Sequence, residues 1–261
     1  NRISMGAQSF NDKHLNSLGR IHESREIFAA FESIRDTGFT NINIDLMWGL
    51  PHQTVSQAIK DLEQTVALEP EHISWYQLTV EPNTFFYSNP PALPSEDKIS
   101  DIQRAGREIL LEGGYKQYEV SAFAKPGREA RHNVNYWKFG DYIGIGAGAH
   151  GKITFLDTQD IIRTQKTRQP KRYMKNKKGI VARQKSVPIE ERPLEFMMNA
   201  LRLRKGVPSS YYAKRTGLHI DSVLPTFNKL RQDGFWVSDS NKIGTSPFGY
   251  RFLNQVIQNF S

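Results

Sequence analysis

A chain of 261 residues with 38% hydrophobic and 11% aromatic side chains can bury a real core and has room for one large domain or two smaller ones. It has no cysteine, which excludes disulfides and cysteine-held metal centres within these residues, and no apolar run approaches the roughly 20 residues of a membrane helix. The net charge of +8 is concentrated: Ile161 to Ile189 holds ten Lys and Arg and no acid, leaving the rest of the chain slightly acidic.

In chain order, Arg2 to Gln8 reads as a strand, and Ser24 to Thr37 as a helix with Ile27, Phe28, Phe31 and Ile34 on one face. Asn41 to Met47 is an apolar run of the buried parallel type. Thr54 and Gln57 make a capping box for a helix carrying Val55, Ile59, Leu62 and Val66. His72 to Leu78 is a third strand. Glu96 to Glu112 is a helix with acids in its first turn and Gly113-Gly114 as its stop, and Tyr118 to Phe123 is a further strand. Strand and helix alternate with short loops, which predicts a parallel sheet of the βα-barrel kind, with chemistry at the carboxyl ends of its strands. Gln8, Asp45, Gln77 with Glu81, and Glu119 with Ser121 fall at those ends.

Residues 131–151 read RHNVNYWKFGDYIGIGAGAHG. His132 supplies a nitrogen ligand, Tyr136 and Trp137 supply flat aromatic faces, and Gly144, Gly146 and Gly148 leave backbone bare. On their own, such residues are more often surface histidine and packing aromatics. The glycines do not open a dinucleotide loop, because Lys152 to Leu156 reads as a strand where that fingerprint needs a helix. The basic residues Arg163, Lys166, Arg168, Lys171, Arg172, Lys175, Lys177, Lys178, Arg183 and Lys185 then read as a solvated linker or loop. Pro193 opens a helix with Leu194, Met197, Met198 and Leu201 as core. Tyr211 to Gly217, Asp221 to Gly234 and Phe235 to Tyr250 read as helix, turn, helix and β-ribbon, a winged-helix-like module. The expected division is therefore 1–160 barrel and extension, 161–189 basic linker or loop, and 190–261 C-terminal module.

RISMGAQSFND, Gly19-Arg20, NINIDLMWGLP, YQLTVEPNT, YEVSAFA, RHNVNYW and GIGAGAHGK, in that order, resemble the radical S-adenosylmethionine proteins related to oxygen-independent coproporphyrinogen III oxidase. The HNxxYW element at His132 to Trp137 is similar to the haem chaperone branch rather than to the oxidase. The resemblance implies an α/β fold: the C-terminal half of a partial, three-quarter βα barrel, followed by the winged-helix-like module. It also implies a [4Fe-4S] cluster whose three cysteines belong to a barrel half absent here, and the strand at Arg2 to Gln8 would then begin as an exposed edge that aggregates without that half. For S-adenosylmethionine it implies contacts from Gln8, from Arg20 to the methionyl carboxylate, from Asp45 to the ribose hydroxyls, and from the main chain at Met47 and Thr79. For haem it implies His132 on the iron, with Asn133, Tyr136 and Trp137 shaping the site and His150 as the second choice of ligand.

The expected function is haem binding and transfer to respiratory apo-proteins in the cytoplasm, favoured over catalysis. A homodimer and a membrane-surface contact through the basic stretch belong to the same expectation. The alternatives are radical oxidative decarboxylation of coproporphyrinogen III, and a winged-helix nucleic-acid module. The mixed charges of Asn228, Lys229, Arg231, Gln232 and Asp233 speak against nucleic acid.

Overall fold

The computed structural model describes residues 1–175 and 180–261, so Lys177 and Lys178 of the basic stretch lie outside the described residues. Two compact units follow one another, 1–130 and 131–261.

In the first unit the elements are β1 (Ile3–Gln8), α1 (Asp12–Ser17), α2 (Ser24–Asp36), β2 (Ile42–Trp48), α3 (Val55–Ala67), β3 (His72–Gln77), α4 (Phe85–Ser88), α5 (Glu96–Glu112), β4 (Lys116–Glu119) and β5 (Ala122–Ala124). The five-stranded sheet has the order β1-β2-β3-β5-β4, with β1 at one edge. The first three strands are parallel, as predicted. The stretch predicted as one more strand is instead two, β4 and β5, paired antiparallel with each other, and β5 runs antiparallel to β3. Val120 and Ser121 separate them, and the Ser121 amide donates to the Glu119 carboxylate at 3.0 Å, which closes the tight turn. Glu119 and Ser121 therefore sit at a hairpin and not at the end of a parallel strand.

Alternation divides the faces of this sheet. Ile42, Ile44, Leu46, Ile73 and Trp75 point to one side and form a core with Ile27 and Phe31 of α2, Leu62 of α3, and Ile102 and Leu110 of α5. α2, α3 and α5 start where the sequence predicts, whereas α1 and α4 were not predicted. The Gln57 amide donates to Thr54 Oγ1 and the Thr54 amide to Gln57 Oε1, a reciprocal cap for α3. The opposite face carries Asn43, Asp45 and Met47 of β2 and His72, Ser74 and Tyr76 of β3, and it is the face on which the candidate site forms.

The second unit holds α6 (Arg131–Trp137), β6 (His150–Thr154), β7 (Ile161–Lys166), α7 (Pro170–Lys175), β8 (Val181–Ser186), α8 (Arg192–Ala200), β9 (Val207–Pro208), α9 (Ser210–Thr216), α10 (Leu224–Gln232), β10 (Lys242–Ile243), α11 (Pro247–Arg251) and α12 (Leu253–Gln258). Three departures from the sequence reading stand out. The basic stretch is not a linker or loop along its described length: it forms β7, α7 and β8, and β6-β7-β8 make an antiparallel sheet whose first hairpin crosses residue 160, where the sequence suggested a boundary. Charge concealed these strands, because their long cationic side chains can stay in solvent while the backbone pairs. Residues 235–250 form less ribbon than expected, since β10 pairs with β9, Trp236 bridges Thr245, and Pro247 starts a helix. Met198 is exposed rather than core, while Met197 and Leu201 are buried as predicted.

The core of this unit is aromatic. Phe196 of α8 meets Phe139 and Tyr212 edge to face, with ring centroids at 5.6 and 5.3 Å, and Phe227 stacks on Trp236 at 4.5 Å. The buried Arg192 guanidinium ties this core to its surroundings by donating to the Val187 and Thr216 carbonyls. No helix among the described residues is long and apolar enough to cross a membrane.

Candidate functional site

β1 ends in an irregularity. Gly6 pairs with Asp45, but the next paired residue is Gln8, opposite Leu46, and Gln8 has a positive φ of 69°. That conformation is uncommon for a side-chain-bearing residue and marks a site whose surroundings enforce it. The Tyr76 hydroxyl donates to the Gln8 side chain, at 2.7 Å from Oε1. Gln8 is buried although it is an amide at a strand end.

Asp45 lies beside it. Its Oδ1 accepts from Asn43 Nδ2 at 2.8 Å and its Oδ2 from Ser4 Oγ at 3.2 Å. Arg20 follows Gly19, whose φ of 67° turns the chain out of α1, and the Arg20 amide closes that turn on the Leu15 carbonyl. The charges meet at Tyr76. Burial pushes its phenol above the ordinary range, the Asp45 carboxylate adds to that shift, and the Arg20 guanidinium offsets part of it. Gln8 thus bonds Tyr76 directly, while Asp45 and Arg20 act on the same phenol through their charges. Met47 shares a face with Asp45, and Thr79 follows the end of β3, its Oγ1 donating to Glu81 at 3.1 Å. Tyr76, Asn43, His72 and Ser74 lie on the same face of the sheet, and the sequence reading did not single them out. Their signal was available in the alternation of polar residues along otherwise buried strands.

The arrangement fits the nucleoside end of S-adenosylmethionine on one structural ground: at the strand end a bare glycine faces a carboxylate and an amide. A Cβ on Gly6 would lie 2.7 Å from Gln8 Nε2, and Gly6 pairs in register with Asp45 of β2. It does not fit a cluster held by this chain. The sequence has no cysteine, and the described residues contain no group of three or more His, Cys, Asp or Glu able to hold a metal ion.

In the second unit the HNxxYW residues form α6. Residues four apart share a helix face, so His132 aligns with Tyr136, and Asn133 with Trp137. The exposed His132 ring meets Tyr136 at 6.1 Å, and Tyr136 meets Tyr142 at 4.6 Å, both edge to face. Trp137 packs beneath the Arg202 guanidinium at 4.2 Å, and its buried Nε1 has no acceptor among the described residues. The loop after Tyr142 is held by backbone: Gly148 donates to Thr167, and a Cβ on Gly144 would strike the His150 carbonyl at 2.1 Å. His150 is exposed at the start of β6. Behind it, Lys152 is buried and donates to Asp141 at 2.8 Å, to Thr154 at 3.1 Å and to the Phe139 carbonyl at 3.2 Å, a cluster absent from the sequence reading.

Comparison with known proteins follows the same lines. Residues 187–252 match the family model described as the HemN C-terminal domain. The fold is similar to that of coproporphyrinogen III oxidase (HemN) from Escherichia coli, described as a radical SAM enzyme, with a TM-score of 0.78 at 22% identity, covering 100% of this chain and 64% of that one. The chain is thus an α/β protein of the HemN fold. In sequence it is 45% identical over 259 residues to the heme chaperone HemW of Haemophilus influenzae, covering 99% of this chain and 67% of that protein. It is 44% identical over 260 residues to the heme chaperone HemW of Escherichia coli, covering 100% and 68%, and 36% identical over 268 residues to that of Bacillus subtilis, covering 100% and 69%. The chain belongs to the HemW heme chaperone family, and it spans about two thirds of the length of these relatives.

Proposed function

We propose that the protein binds haem through α6 and passes it to haem-requiring apo-proteins. The observation that carries this reading is the His132–Tyr136–Tyr142 arrangement: an exposed imidazole at the end of a run of ring contacts, on the motif that the resemblance assigned to haem. An imidazole nitrogen is a common axial ligand, and a solvent-exposed ligand is one from which a cargo can be withdrawn. Tyr136 presents a flank for the macrocycle. Asn133 and Trp137, one ridge further round, shape the helix face instead of meeting the ring directly.

The first unit has a companion role in this reading. Gln8, Arg20, Asp45 and the main chain at Met47 and Thr79 hold S-adenosylmethionine at the open end of a three-quarter barrel, and the [4Fe-4S] cluster is held by residues outside this chain. The bound sulfonium compound supplies either radical chemistry or a structural signal; the residues here supply orientation. Respiratory apo-proteins as acceptors, a homodimer, membrane-surface contact through the basic strands, a winged-helix character for the C-terminal module and a cytoplasmic location complete the proposal.

The test is a haem titration followed by absorbance, with the protein and its His132→Ala variant compared. One saturable site whose affinity or spectrum changes in the variant is the expected result. Equal binding and identical spectra would remove His132 from the iron and leave porphyrinogen oxidation as the reading to test next.

A further inference from the structure

Beneath the candidate nucleoside site lies a set of buried polar residues that neither packing nor the proposed function accounts for. His72 is 1% exposed and Asn43 is 5% exposed, both on the face of the sheet opposite the hydrophobic core. Their hydrogen bonds have one consistent direction. Asn43 Nδ2 donates to Asp45 Oδ1 at 2.8 Å and to Ser4 Oγ at 2.7 Å, which makes Asn43 Oδ1 the acceptor of that amide. His72 Nδ1, 2.6 Å from Asn43 Oδ1, must therefore carry the proton, and Ser74 Oγ donates to the same oxygen at 3.1 Å. In a neutral ring Nε2 is then an acceptor, and the Tyr118 hydroxyl lies 2.9 Å from it.

The chain of donors runs from Tyr118 on β4, through His72 on β3 and Asn43 on β2, to the Asp45 carboxylate, and returns through Ser4 of β1 to the second carboxylate oxygen. Polar groups taken out of water need such complete pairing, and a purely structural interior would be filled more cheaply by apolar side chains. Here the pairing terminates on one partly exposed carboxylate. Among the described residues each Asp45 oxygen receives one side-chain donor, which fixes the plane of the group and leaves further acceptor capacity on both oxygens.

We propose that Tyr118, His72 and Asn43 are positioning residues that pre-set the Asp45 carboxylate for the vicinal hydroxyls of a ribose. This rests on the reading that Asp45 takes those hydroxyls. The function of the relay is discrimination: a carboxylate held in one orientation favours a nucleoside with the 2′-hydroxyl over one without it, whereas a freely rotating one gains less from that group.

The experiment measures binding of 5′-deoxyadenosine and of 2′,5′-dideoxyadenosine by NMR titration, in the protein and in its Asp45→Ala, His72→Phe and Tyr118→Phe variants. Thermal melts check that each variant folds, and Tyr118→Phe, which keeps the ring, serves if His72→Phe does not. The protein should favour the 2′-hydroxyl compound by about fivefold, the worth of one net hydrogen bond. Asp45→Ala should abolish that preference. His72→Phe should remove most of it and Tyr118→Phe part of it, with affinity for the dideoxy compound falling less than affinity for the 2′-hydroxyl compound. If Asp45→Ala loses the preference while the relay variants keep it, or if both ligands weaken equally, the relay is overturned and Asp45's role stands. If Asp45→Ala keeps the preference, the underlying assignment of Asp45 falls, and the relay with it.

Discussion

Tyr76 on β3 reaches over β2 to Gln8 at the end of β1, and the 2.7 Å bond from its hydroxyl to the Gln8 amide oxygen ties the edge strand to the third strand. Gln8 holds its positive φ under this bond. Tyr76→Phe removes the donor and leaves a buried amide oxygen short of a partner. The expected cost to the first unit is about 1 kcal/mol, read from the midpoint of urea unfolding. Gln8→Gly relieves the backbone but loses the side chain, so the two variants should differ in ligand binding and agree in stability to within about 1 kcal/mol.

The loop that leaves Gln8 is anchored from below. Asp61 of α3 is 3% exposed and accepts from Ser9 Oγ and from the Phe10 amide, each at 2.8 Å. Burial pushes its carboxyl up to about 6, and the Ser9 and Phe10 hydrogen bonds oppose that shift without cancelling it. A folded value above the ordinary one near 3.8 means that the folded protein binds the proton more tightly. Stability from this group is then fully present below about pH 3.8 and declines as pH rises to about 6. Asp61→Asn keeps an acceptor for the Phe10 amide and cannot ionise. The variant should gain on the parent by roughly 2 kcal/mol between pH 4 and pH 7, with most of the change below pH 6, in urea unfolding followed across that range. A constant difference at all pH values would show that Asp61 does not titrate in this window.

Much of the first unit was legible because its signals are local. Ile27 and Phe31 on α2, the Thr54-Gln57 box and the Gly113-Gly114 stop each belong to a short window, and each appears in the structure as read. Gln8, Arg20 and Asp45 were named through resemblance alone; in the structure Gln8 accepts from the Tyr76 hydroxyl, and the Asp45 and Arg20 charges act on that phenol. The hairpin of β4 and β5 was not legible, because the turn at Val120-Ser121 is closed by Glu119 and carries neither Gly nor Pro. Nor were β7 and β8, whose pairing depends on a partner strand while their composition is that of a solvated loop.

Lys152 shows the same limit in one residue. In GAGAHGK it looks like a surface cation, yet it is 2% exposed, with its Nζ 4.1 Å above the Phe139 ring. Burial lowers its pKa, and the Asp141 hydrogen bond and charge restore part of it. Its partner is eleven positions away and reaches it only because Tyr142 and Lys152 exchange backbone bonds. Asp141→Ala leaves a buried ammonium with only neutral acceptors, an expected loss of about 3 kcal/mol. Lys152→Met, which removes the buried charge and leaves Asp141 able to face water, should cost less. Denaturant unfolding of both variants checks the order, and equal losses would show that the pair, not the buried charge, sets the cost.

One close helix contact in the first unit is made by a residue with no side chain. Gly106 sits mid-helix in α5, where a glycine costs about 1 kcal/mol relative to alanine if nothing else intervenes. Here something does: a Cβ at that position would lie 2.2 Å from the Trp75 ring and 2.8 Å from Leu62. Trp75 cannot retreat easily, since it stacks on Trp48 at 5.0 Å and meets Phe123 at 6.2 Å. Gly106→Ala therefore sets a helix-propensity gain of about 1 kcal/mol against an overpacking penalty of 1–3 kcal/mol, roughly, and a net loss near 1 kcal/mol is expected. The discriminating control is Gly106→Ala combined with Trp75→Phe, which opens room for the methyl group. The alanine should be less harmful in that background than in the parent, and a thermal unfolding series of the four proteins measures the coupling. If the alanine costs the same in both, the contact with Trp75 does not set the position of α5, and its glycine must answer to another constraint.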